Sequence, residues 1–463
     1  MKNLKKNLMM MPRVIPHTPG AYLVGGTVRD MLLSKQPTDY DIAVPKPCEP
    51  LARQIAENAG SRMIVLGKPD FSIYRIVSGE LTFDVAPLEG GSIYEDLKRR
   101  DFTLNAMAWD IGKSRLIDIF NGLTDLKSRR IRMVSENNLS ADPVRLLRAF
   151  RFAALLEFNI DAATKAAIHR HAGLIKHAAG ERVREELMKL LACPQSHKHL
   201  CEMDTAGLLT QIFDELLPLK TCLQNAHHDF NAFEHTMAAY FWLEKLLTSP
   251  ESILEKTAQL PAPLTHDPAR LKLALLLHDI GKPRSRSTDQ NGTTHFYRHE
   301  TIGADMVRPI SRRLKLSNAL GADVDLIIRN HLRPLHLFTA HQNQTLTSKG
   351  IARFFIKSRG LAANLLLHAI ADARGKKAGR QTGTFEHFCR DLMHAYASDF
   401  AERANRPPLI NGHDLITDLH LPPSPLFSKV LARVEEERLA GRLQTRTEAI
   451  DWVRNFIERN NLT

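Results

Sequence analysis

Short runs rich in β-branched and aromatic residues recur between residues 21 and 135, and brief helical patterns separate them. Runs of this length that are bounded by glycine and polar residues are typical of strands. The clearest runs are AYLVG, YDIAV, IYRIV, LTFDVAPL, RLIDIF and RIRMV. The pattern therefore predicts an N-terminal domain in which helices pack on a sheet.

The pattern changes from about residue 140 onward, where leucine and alanine recur at helical spacing with almost no β-branched alternation. Examples are DPVRLLRAFRFAALLEF, TMAAYFWLEKLL, RLKLALLLHDI and ARFFIKSRGLAANLLLHAIADA. Proline-rich and polar breaks predict loops or boundaries at Ser249–Asp267, Asp289–Thr294 and Lys376–Thr384. The predicted fold class is α+β, with a mixed-sheet head followed by helical domains.

The length and the charge of the chain indicate how many domains and what class of partner to expect. A chain of 463 residues is too long for one hydrophobic core, so about three domains are expected. The 63 lysines and arginines exceed the 51 aspartates and glutamates, which gives a formal charge of +12. Such a charge attracts polyanions such as nucleic acid, although charge alone identifies no partner.

Cysteine spacing and hydropathy indicate a cellular compartment. The five cysteines are scattered without CxxC spacing, which argues against a disulfide framework or a cysteine zinc site and fits a reducing cytoplasm. The apolar run Leu8–Met11 is too short for a secretion signal. No later stretch approaches the ~20 apolar residues of a membrane span. We therefore expect a cytoplasmic protein with no membrane partner.

The stretch AYLVGGTVRDMLLSKQPTDYDIAV combines a glycine turn with charged residues. Tyr22–Val24 predicts a strand, Gly25 and Gly26 predict a tight turn, and Val28–Leu33 predicts a helix. Glycines in such a turn let the backbone approach a ligand closely, and the amides at the helix start are donors for phosphate. Arg29 adds a positive charge beside them.

Asp39 and Asp41 come at the start of the next predicted strand. Side chains two positions apart on a strand share a face, roughly 6 to 7 Å from each other. Two such carboxylates can hold two divalent ions that activate an attacking hydroxyl and stabilise a leaving phosphate oxygen. Asp84 in LTFDVAPL is either a third carboxylate of the site or a strand-end carboxylate that supports it.

The order GGTVRDMLL, short helix, TDYDIAV resembles the nucleotidyltransferase superfamily related to DNA polymerase beta, and within it the class II tRNA nucleotidyltransferases and bacterial poly(A) polymerases. The resemblance implies two Mg²⁺ ions on Asp39 and Asp41. The segment RRDFTLNAMA resembles the family's RRDFTxNA motif. By this resemblance Arg100 binds the triphosphate, Asp101 orients it and Asn105 lies on the sugar side.

The segment ADPVRLLRAFRF resembles the family's EDxxR motif, whose Asp and Arg recognise the incoming base, with Ala141 where the family usually has Glu. Asp142 is also positioned to cap the helix, on which Asp142, Arg145 and Arg148 share one face. Cytosine and adenine both present a ring-nitrogen acceptor beside an exocyclic amine, whereas uracil and guanine reverse that polarity. One Arg donor and one Asp acceptor therefore suit both CTP and ATP. Downstream, GERVREELMKLL offers Glu181, Arg182 and Arg184 either to brace this helix or as a solvated face.

LALLLHDIGKP resembles the HD phosphohydrolase superfamily. The residues that follow the order of its ligands are His235, His278, Asp279, His299, His331 and Asp372, with His295 as a further candidate. Imidazole and carboxylate ligands of this kind hold a divalent ion that activates water against a phosphoester. The identity of that metal and the activity of the site stay open at this stage.

The segment Pro407–Ile457 resembles the C-terminal RNA-holding part of class II enzymes, and Arg433, Arg438 and Arg442 are candidates to track a tRNA backbone. The expected domains are a head at 1–138, a helical neck at 139–225, an HD domain at 226–375 and a tRNA-binding tail at 376–463.

We therefore expect an enzyme that adds C, A or both to the tRNA 3′ end. In this reaction the RNA 3′-hydroxyl attacks the α-phosphate of CTP or ATP and pyrophosphate leaves. The alternatives are a poly(A) polymerase, a partial enzyme adding only CC or only A, a non-catalytic RNA-binding protein, and an HD phosphohydrolase as the main function. The sequence does not indicate an oligomeric state.

Overall fold

A computed structural model describes residues 11–67, 72–223, 230–248, 267–376 and 382–459. The chain divides into two compact units. The first comprises the chain up to Leu190 together with Lys198–Ile212, and the second comprises Leu191–His197 and the chain from Phe213 onward. The finer boundaries expected at 138, 225 and 375 stay predictions.

A mixed seven-stranded sheet forms the centre of the first unit, with strand order β3-β4-β5-β2-β1-β6-β7. Its strands are β1 Tyr22–Val24, β2 Asp39–Val44, β3 Met63–Leu66, β4 Ile73–Ser78, β5 Leu81–Pro87, β6 Ala108–Asp110 and β7 Arg115–Ile117. Strands β2 and β5 are parallel, and the other neighbours are antiparallel. The predicted sheet and the α+β class are confirmed.

Two predicted strands are shorter than expected. The run RLIDIF pairs only over Arg115–Ile117, because the Asp118 carboxylate accepts hydrogen bonds from the amides of Gly122 and Leu123, at 2.7 and 3.0 Å, and turns the chain. The run RIRMV contributes only β8, Arg130–Ile131, which pairs with β9, Asn159–Ile160, outside the main sheet.

Helices dominate after the sheet, as the spacing of leucine and alanine predicted. The helices up to residue 212 are α1 Gly26–Leu32, α2 Glu49–Asn58, α3 Ile93–Lys98, α4 Gly122–Lys127, α5 Glu136–Ala141, α6 Val144–Leu156, α7 Ala162–His171, α8 Gly180–Ala192, α9 Ser196–Thr205 and α10 Leu208–Ile212. Single 3₁₀ segments occur at Glu89–Gly91, Thr103–Asn105 and Ala172–His177. The apolar face predicted for α6 is buried, since Val144, Leu147, Phe150 and Ala154 are all at most 8% exposed.

The second unit is helical apart from one hairpin. Its helices are α11 Ala232–Thr248, α12 Pro268–Leu277, α13 Lys282–Ser285, α14 His299–Arg313, α15 Asn318–Asn330, α16 Arg333–Gln342, α17 Ser348–Lys357, α18 Ala362–Lys376, α19 Gly383–Ala395, α20 Ala401–Asn405, α21 Gly412–Thr417, α22 Leu426–Leu439 and α23 Arg446–Arg459. A 3₁₀ segment covers Asp214–Thr221 and a π turn covers Tyr396–Phe400. The hairpin consists of β10 Arg286–Thr288 and β11 Thr294–Phe296, and its turn is the loop predicted at Asp289–Thr294. Most residues of the other two predicted breaks, Ser249–Asp267 and Lys376–Thr384, lie outside the described residues.

The C-terminal helices α21, α22 and α23 pack around their own apolar cluster, which includes Leu415, Val430 and Val453. One expectation for this segment is wrong. Arg438 is only 5% exposed, pairs with Glu435 at 2.6 Å and donates to a backbone carbonyl, so it is not available to a tRNA backbone. Within the described ranges, no helix combines the length and the apolar character needed to cross a membrane.

Candidate functional site

Of the residues that the sequence proposed for nucleotide chemistry, all except Asp84 line one cavity of about 610 Å³ in the first unit. Those residues are Gly25, Gly26, Arg29, Asp39, Asp41, Arg100, Asp101, Asn105, Asp142, Arg145 and Arg148. They come from segments more than a hundred residues apart, so their meeting in one cavity is a property of the tertiary fold. The cavity lies between the N-terminal end of the central strand β2, which carries the aspartates, and helix α6.

Gly25 makes the close approach at the cavity wall possible. It adopts a left-handed conformation with φ of 66°, which side chains rarely accept. A Cβ atom at this position would lie 2.8 Å from Nη1 of Arg100 and 3.5 Å from Oδ2 of Asp41. Glycine is therefore required here by conformation and by space, as the turn predicted from the sequence implies.

Asp39 and Asp41 extend from the first residues of β2 into the cavity, one on either side of the buried Tyr40. The Thr27 hydroxyl fixes this strand end, because it donates to the Asp39 carbonyl at 3.2 Å and accepts from the Asp41 amide at 2.9 Å. Asp84 lies directly opposite Asp41 in the parallel pair β2–β5 and is held by Arg75 through two hydrogen bonds of 2.8 and 2.7 Å. The carboxylates are thus positioned by backbone pairing rather than by loops.

Burial raises the pKa of Asp41, and the neighbouring carboxylates Asp84 and Asp39 raise it further, although Arg100 opposes them. The site thus concentrates negative charge that a bound cation would relieve. Oxygen ligands of this type suit hard divalent ions such as Mg²⁺. The residues present therefore fit a divalent metal at this position.

The RRDFTLN segment supplies a hydrogen-bonded chain along the cavity. Nη1 of Arg29 donates to Oδ1 of Asn105 at 2.8 Å, and Nδ2 of Asn105 donates to Oδ1 of Asp101 at 3.0 Å. Nε of Arg148 then donates to Oδ2 of Asp101 at 2.8 Å. These hydrogen bonds connect α1 to α6 through the buried side chains of Asn105 and Asp101.

The structure shows which groups hold the two neighbouring charges of this segment. The Asp101 carboxylate contacts Arg148, Asn105 and the amide of Phe102, and its predicted role in orienting the triphosphate stays a prediction. The buried Asp96 of α3 accepts from Nη2 and Nε of Arg100 at 2.8 and 3.1 Å. Asp96 and Arg100 are four residues apart, the (i, i+4) spacing at which side chains meet across one helical turn.

Helix α6 begins at Val144, and Pro143 is its N-cap residue. The N-cap is therefore one residue later than the cap predicted at Asp142. Arg182 of α8 donates to both carboxylate oxygens of Asp142, at 2.9 and 2.8 Å, which is the bracing contact anticipated for α8. Burial raises the pKa of Asp142, but Arg182 and Arg145 outweigh burial and hold that pKa below its usual value. Asp142 therefore stays an acceptor at neutral pH.

The other arginines of α6 are held just as firmly. Nη1 of Arg145 donates to the carbonyls of Arg99 and Asn138, at 2.7 and 3.3 Å. Glu186 of α8 pairs with Arg151 and, at 3.3 Å, with Arg148. Because Arg145 and Arg148 are each fixed by more than one acceptor, the cavity presents a preorganised array of donors.

Several residues that hold the predicted side chains of this cavity in place were not predicted from the sequence. They are Thr27, Asp96, Arg151, Phe152 and Glu186. The guanidinium carbons of Arg29, Arg148 and Arg151 lie 5.1, 5.2 and 3.9 Å from the centre of the Phe152 ring, which separates three like charges. The only signal in the sequence was spacing, since Arg148, Arg151 and Phe152 belong to the same segment as Asp142.

A second cluster lies in the second unit, where the predicted HD residues meet although they come from five separate segments. These residues form two groups, and within each group the potential ligand atoms all lie within 4.8 Å of one another. One group consists of His235, His278 and Asp372, and the other of Asp279, His299 and His331. All six side chains are buried. His295 does not belong to the cluster, because it lies half-buried in the hairpin and bonds Asp289 at 2.8 Å.

The histidine orientations fit metal coordination. The Nδ1 atoms of His278, His299 and His331 lie 2.8, 2.8 and 2.7 Å from backbone carbonyls three residues earlier, so each Nδ1–H donates, and in the neutral ring Nε2 carries a lone pair. The Nε2 atoms of His299 and His331 face each other at 3.2 Å. Two lone pairs cannot bond each other, so a cation between them fits this arrangement.

His368, one helical turn before Asp372 on α18, is a further member that the sequence analysis missed. Its ring is fully buried, lies 5.0 Å from the ring of His278, and has no hydrogen-bond partner on either nitrogen among the described residues. Burial lowers the pKa of His278, but Asp279 and Asp372 outweigh burial and raise it to about 9. The carboxylates therefore favour positive charge at this centre.

Comparison with known families agrees with this architecture. The poly A polymerase head domain matches residues 21–91 and 89–132, and the probable RNA and SrmB-binding site of polymerase A matches residues 157–219. The HD domain matches residues 232–373. The head match covers the aspartates and the glycine turn, and the HD match covers both groups of the second cluster.

Two relatives align with nearly the whole chain. The A-adding tRNA nucleotidyltransferase of Deinococcus radiodurans is 35% identical over 96% of this chain and 98% of its own length. The CC-adding tRNA nucleotidyltransferase of Thermus thermophilus is 32% identical over 94% of this chain and 93% of its own length. The solved structure of the Thermotoga maritima CCA-adding enzyme complexed with tRNA shares the fold, with a TM-score of 0.63 at 20% identity over 98% of both chains.

The cavity of the first unit, the HD cluster and the full-length similarity to two of its members lead to the same assignment. This chain is an enzyme of the tRNA nucleotidyltransferase family.

Proposed function

We propose that the protein adds C, A or both to the 3′ end of tRNA, using CTP or ATP and releasing pyrophosphate. The observation that carries the proposal is the single cavity in which a glycine turn, two strand-end aspartates and a base-recognition Asp–Arg pair meet. Phosphate binding, metal binding and base recognition each need one of these parts. A non-catalytic RNA-binding protein would need none of them in one place.

The residues of the cavity divide the work of the reaction. Arg100, fixed by Asp96 beside Gly25, is positioned to bind the triphosphate. Asp39 and Asp41 would hold Mg²⁺, which when bound lowers the pKa of the RNA 3′-hydroxyl and neutralises the developing charge on the α-phosphate. The braced arginines of α6 keep the nucleotide oriented, which reduces the entropy lost on reaching the transition state.

Base choice follows from Asp142 and Arg145. With its pKa held low, Asp142 accepts a hydrogen bond from the exocyclic amine of cytosine or adenine, and Arg145 donates to the adjacent ring nitrogen. Uracil and guanine present a carbonyl and an N–H at those positions, so they would leave both side chains unsatisfied. A protein edge thus replaces a nucleic-acid template.

Removal of the Asp142 carboxylate should weaken discrimination between the bases. For Asp142→Ala we expect the preference for CTP and ATP over UTP and GTP to fall by about 5- to 150-fold, the equivalent of roughly 1–3 kcal/mol for one readout contact. The measurement is kcat/KM for each triphosphate. Asp118→Ala, which removes an aspartate that bonds backbone amides outside the cavity, is the control and should keep the ratio. An unchanged ratio for Asp142→Ala would mean that this side chain does not read the base.

The relatives act differently, one as an A-adding and one as a CC-adding enzyme, so the added nucleotides must be measured. The test incubates tRNAs ending at the discriminator base, at C and at CC with each triphosphate separately, and reads the products at nucleotide resolution. Extension of all three to CCA identifies a complete enzyme, and extension of a subset identifies a partial one. Addition of ATP alone to 3′ ends of other RNAs would identify a poly(A) polymerase and overturn the tRNA assignment.

A second activity is favoured by the HD cluster. We propose that its two groups of buried ligands bind a divalent metal that supports phosphoester hydrolysis. His278→Ala should lose most of the tightly bound divalent metal measured by inductively coupled plasma mass spectrometry, and should keep nucleotide incorporation. His295→Ala, which removes a hairpin histidine outside the cluster, should keep both. Equal metal content in the two variants would contradict the proposed metal site.

A further inference from the structure

Two adjoining concavities lie on the second unit, and none of the HD ligand residues lines either of them. One encloses about 310 Å³ and the other about 850 Å³, and both are lined by Asn330 and Lys357. Helices α14, α15, α16 and α17 form their walls. We call the two concavities together the basic groove.

Five cations line the basic groove and have no ion-pair partner among the described residues. They are Arg308, Arg312, Arg333, Lys357 and Arg359, and all five are exposed. Most other arginines of this unit have carboxylate partners, as in the pair of Arg313 with Glu215 at 2.9 Å. Unpaired like charges repel one another, so a fold that keeps five of them around one depression lacks the counter-charge on its own surface.

The acidic residues of the basic groove do not supply that counter-charge. Asp305 and Asp325 both pair with Arg329, at 2.9 and 2.8 Å, so the three groups together carry one negative charge. Arg353 at the other end pairs with Glu436 at 3.1 Å and is neutralised. The groove therefore has an excess of four positive charges (five unpaired cations minus the one net negative charge).

We propose that the basic groove binds the phosphate backbone of the tRNA substrate, an inference that rests on the proposed function. The cations are spread over several helices rather than gathered at one point, which suits a row of phosphates better than a single anion. Arg308 and Arg312 are four residues apart on α14, about 6 Å along its axis. Contacts of this kind position an RNA without reading its sequence.

The test neutralises three of the exposed cations in Arg308→Ala/Arg312→Ala/Lys357→Ala. We expect the Kd for a tRNA transcript to rise by about tenfold or more at 0.1 M salt, and the slope of log K against log salt to fall by about two, close to 0.7–0.9 per lost phosphate contact. KM for tRNA should rise in parallel, whereas kcat and KM for the triphosphate should not change. Thermal unfolding should match the wild type because all three side chains are exposed.

Arg284→Ala/Arg286→Ala is the matched control, since both arginines are exposed in the same unit and line neither concavity. It should leave Kd and the salt slope unchanged. An unchanged Kd and slope in the triple variant of an enzyme that still extends tRNA would overturn the groove proposal alone. Failure of the wild type to extend any tRNA would instead overturn the proposed function.

Discussion

Asp41→Asn should reduce nucleotide incorporation by about a thousandfold or more while tRNA binding persists. Asparagine keeps the size of the side chain but removes the negative charge that a divalent ion requires. Metal stabilisation of the transferring phosphate is worth several kcal/mol, and each 1.36 kcal/mol corresponds to a factor of ten in rate. The measurement is single-turnover incorporation with saturating tRNA and triphosphate. Asp39→Asn should behave in the same way.

Two controls separate chemistry from folding. Glu49→Gln removes a negative charge from an exposed pair with Arg53 on α2, and it should keep full activity. Asp84→Asn removes the carboxylate that faces Asp41 across the sheet but is already held by Arg75. If Asp84 only supports the site, the loss will be smaller than that for Asp41→Asn. Retention of activity by both Asp39→Asn and Asp41→Asn would contradict the assignment of the metal site.

Glu244→Ala should be the most destabilising of the changes considered, at about 3–5 kcal/mol, because it breaks a buried ion pair and leaves one charge uncompensated. Nζ of Lys272, only 1% exposed, donates to Oε1 of Glu244 at 2.6 Å. The same glutamate accepts from the Ser196 hydroxyl and from the amides of Ser196 and His197. Burial lowers the pKa of Lys272 and Glu244 opposes it, so loss of the glutamate also favours a neutral lysine.

The measurement is thermal unfolding, in which the transition of the second unit should fall by about 10 °C. Glu244→Leu/Lys272→Met replaces both charges by apolar groups and should recover part of the loss, since no charge is left uncompensated and only neutral groups, the donors to Glu244 and the Cys193 carbonyl, lose a partner. Glu402→Ala, from an exposed pair with Arg406, should change stability by less than about 0.5 kcal/mol. Equal stability of Glu244→Ala and Glu402→Ala would show that the buried pair contributes little.

The sequence predicted the elements of the head well because their signals are local. The short β-rich runs at Tyr22–Val24 and Asp39–Val44 are typical of strands, and Gly25 provides the left-handed turn between strand and helix. The helical segments were equally clear from leucine spacing. Strand ends such as that at Ile117 were missed, because a side-chain bond from Asp118 to the next helix ends the pairing.

The partners of charged residues were less predictable. Arg100 and Asp101 are adjacent in the sequence, yet the carboxylate that reaches Arg100 is that of Asp96, four residues earlier in α3. Asp101 faces Arg148, 47 positions later in the chain. His368 was missed for a similar reason, since a histidine in a leucine-rich helix resembles any buried histidine until its neighbours are known.

The amino-acid sequence by itself determined which chemical groups this enzyme has and the local geometry that presents them. The aspartates of β2 share a strand face and the arginines of α6 share a helix face because backbone periods are local properties. Only the tertiary structure decided which distant groups meet. Glu186 reaches α6, and seven histidines and aspartates converge in the second unit, because packing of apolar surfaces sets those distances and is indifferent to separation along the chain.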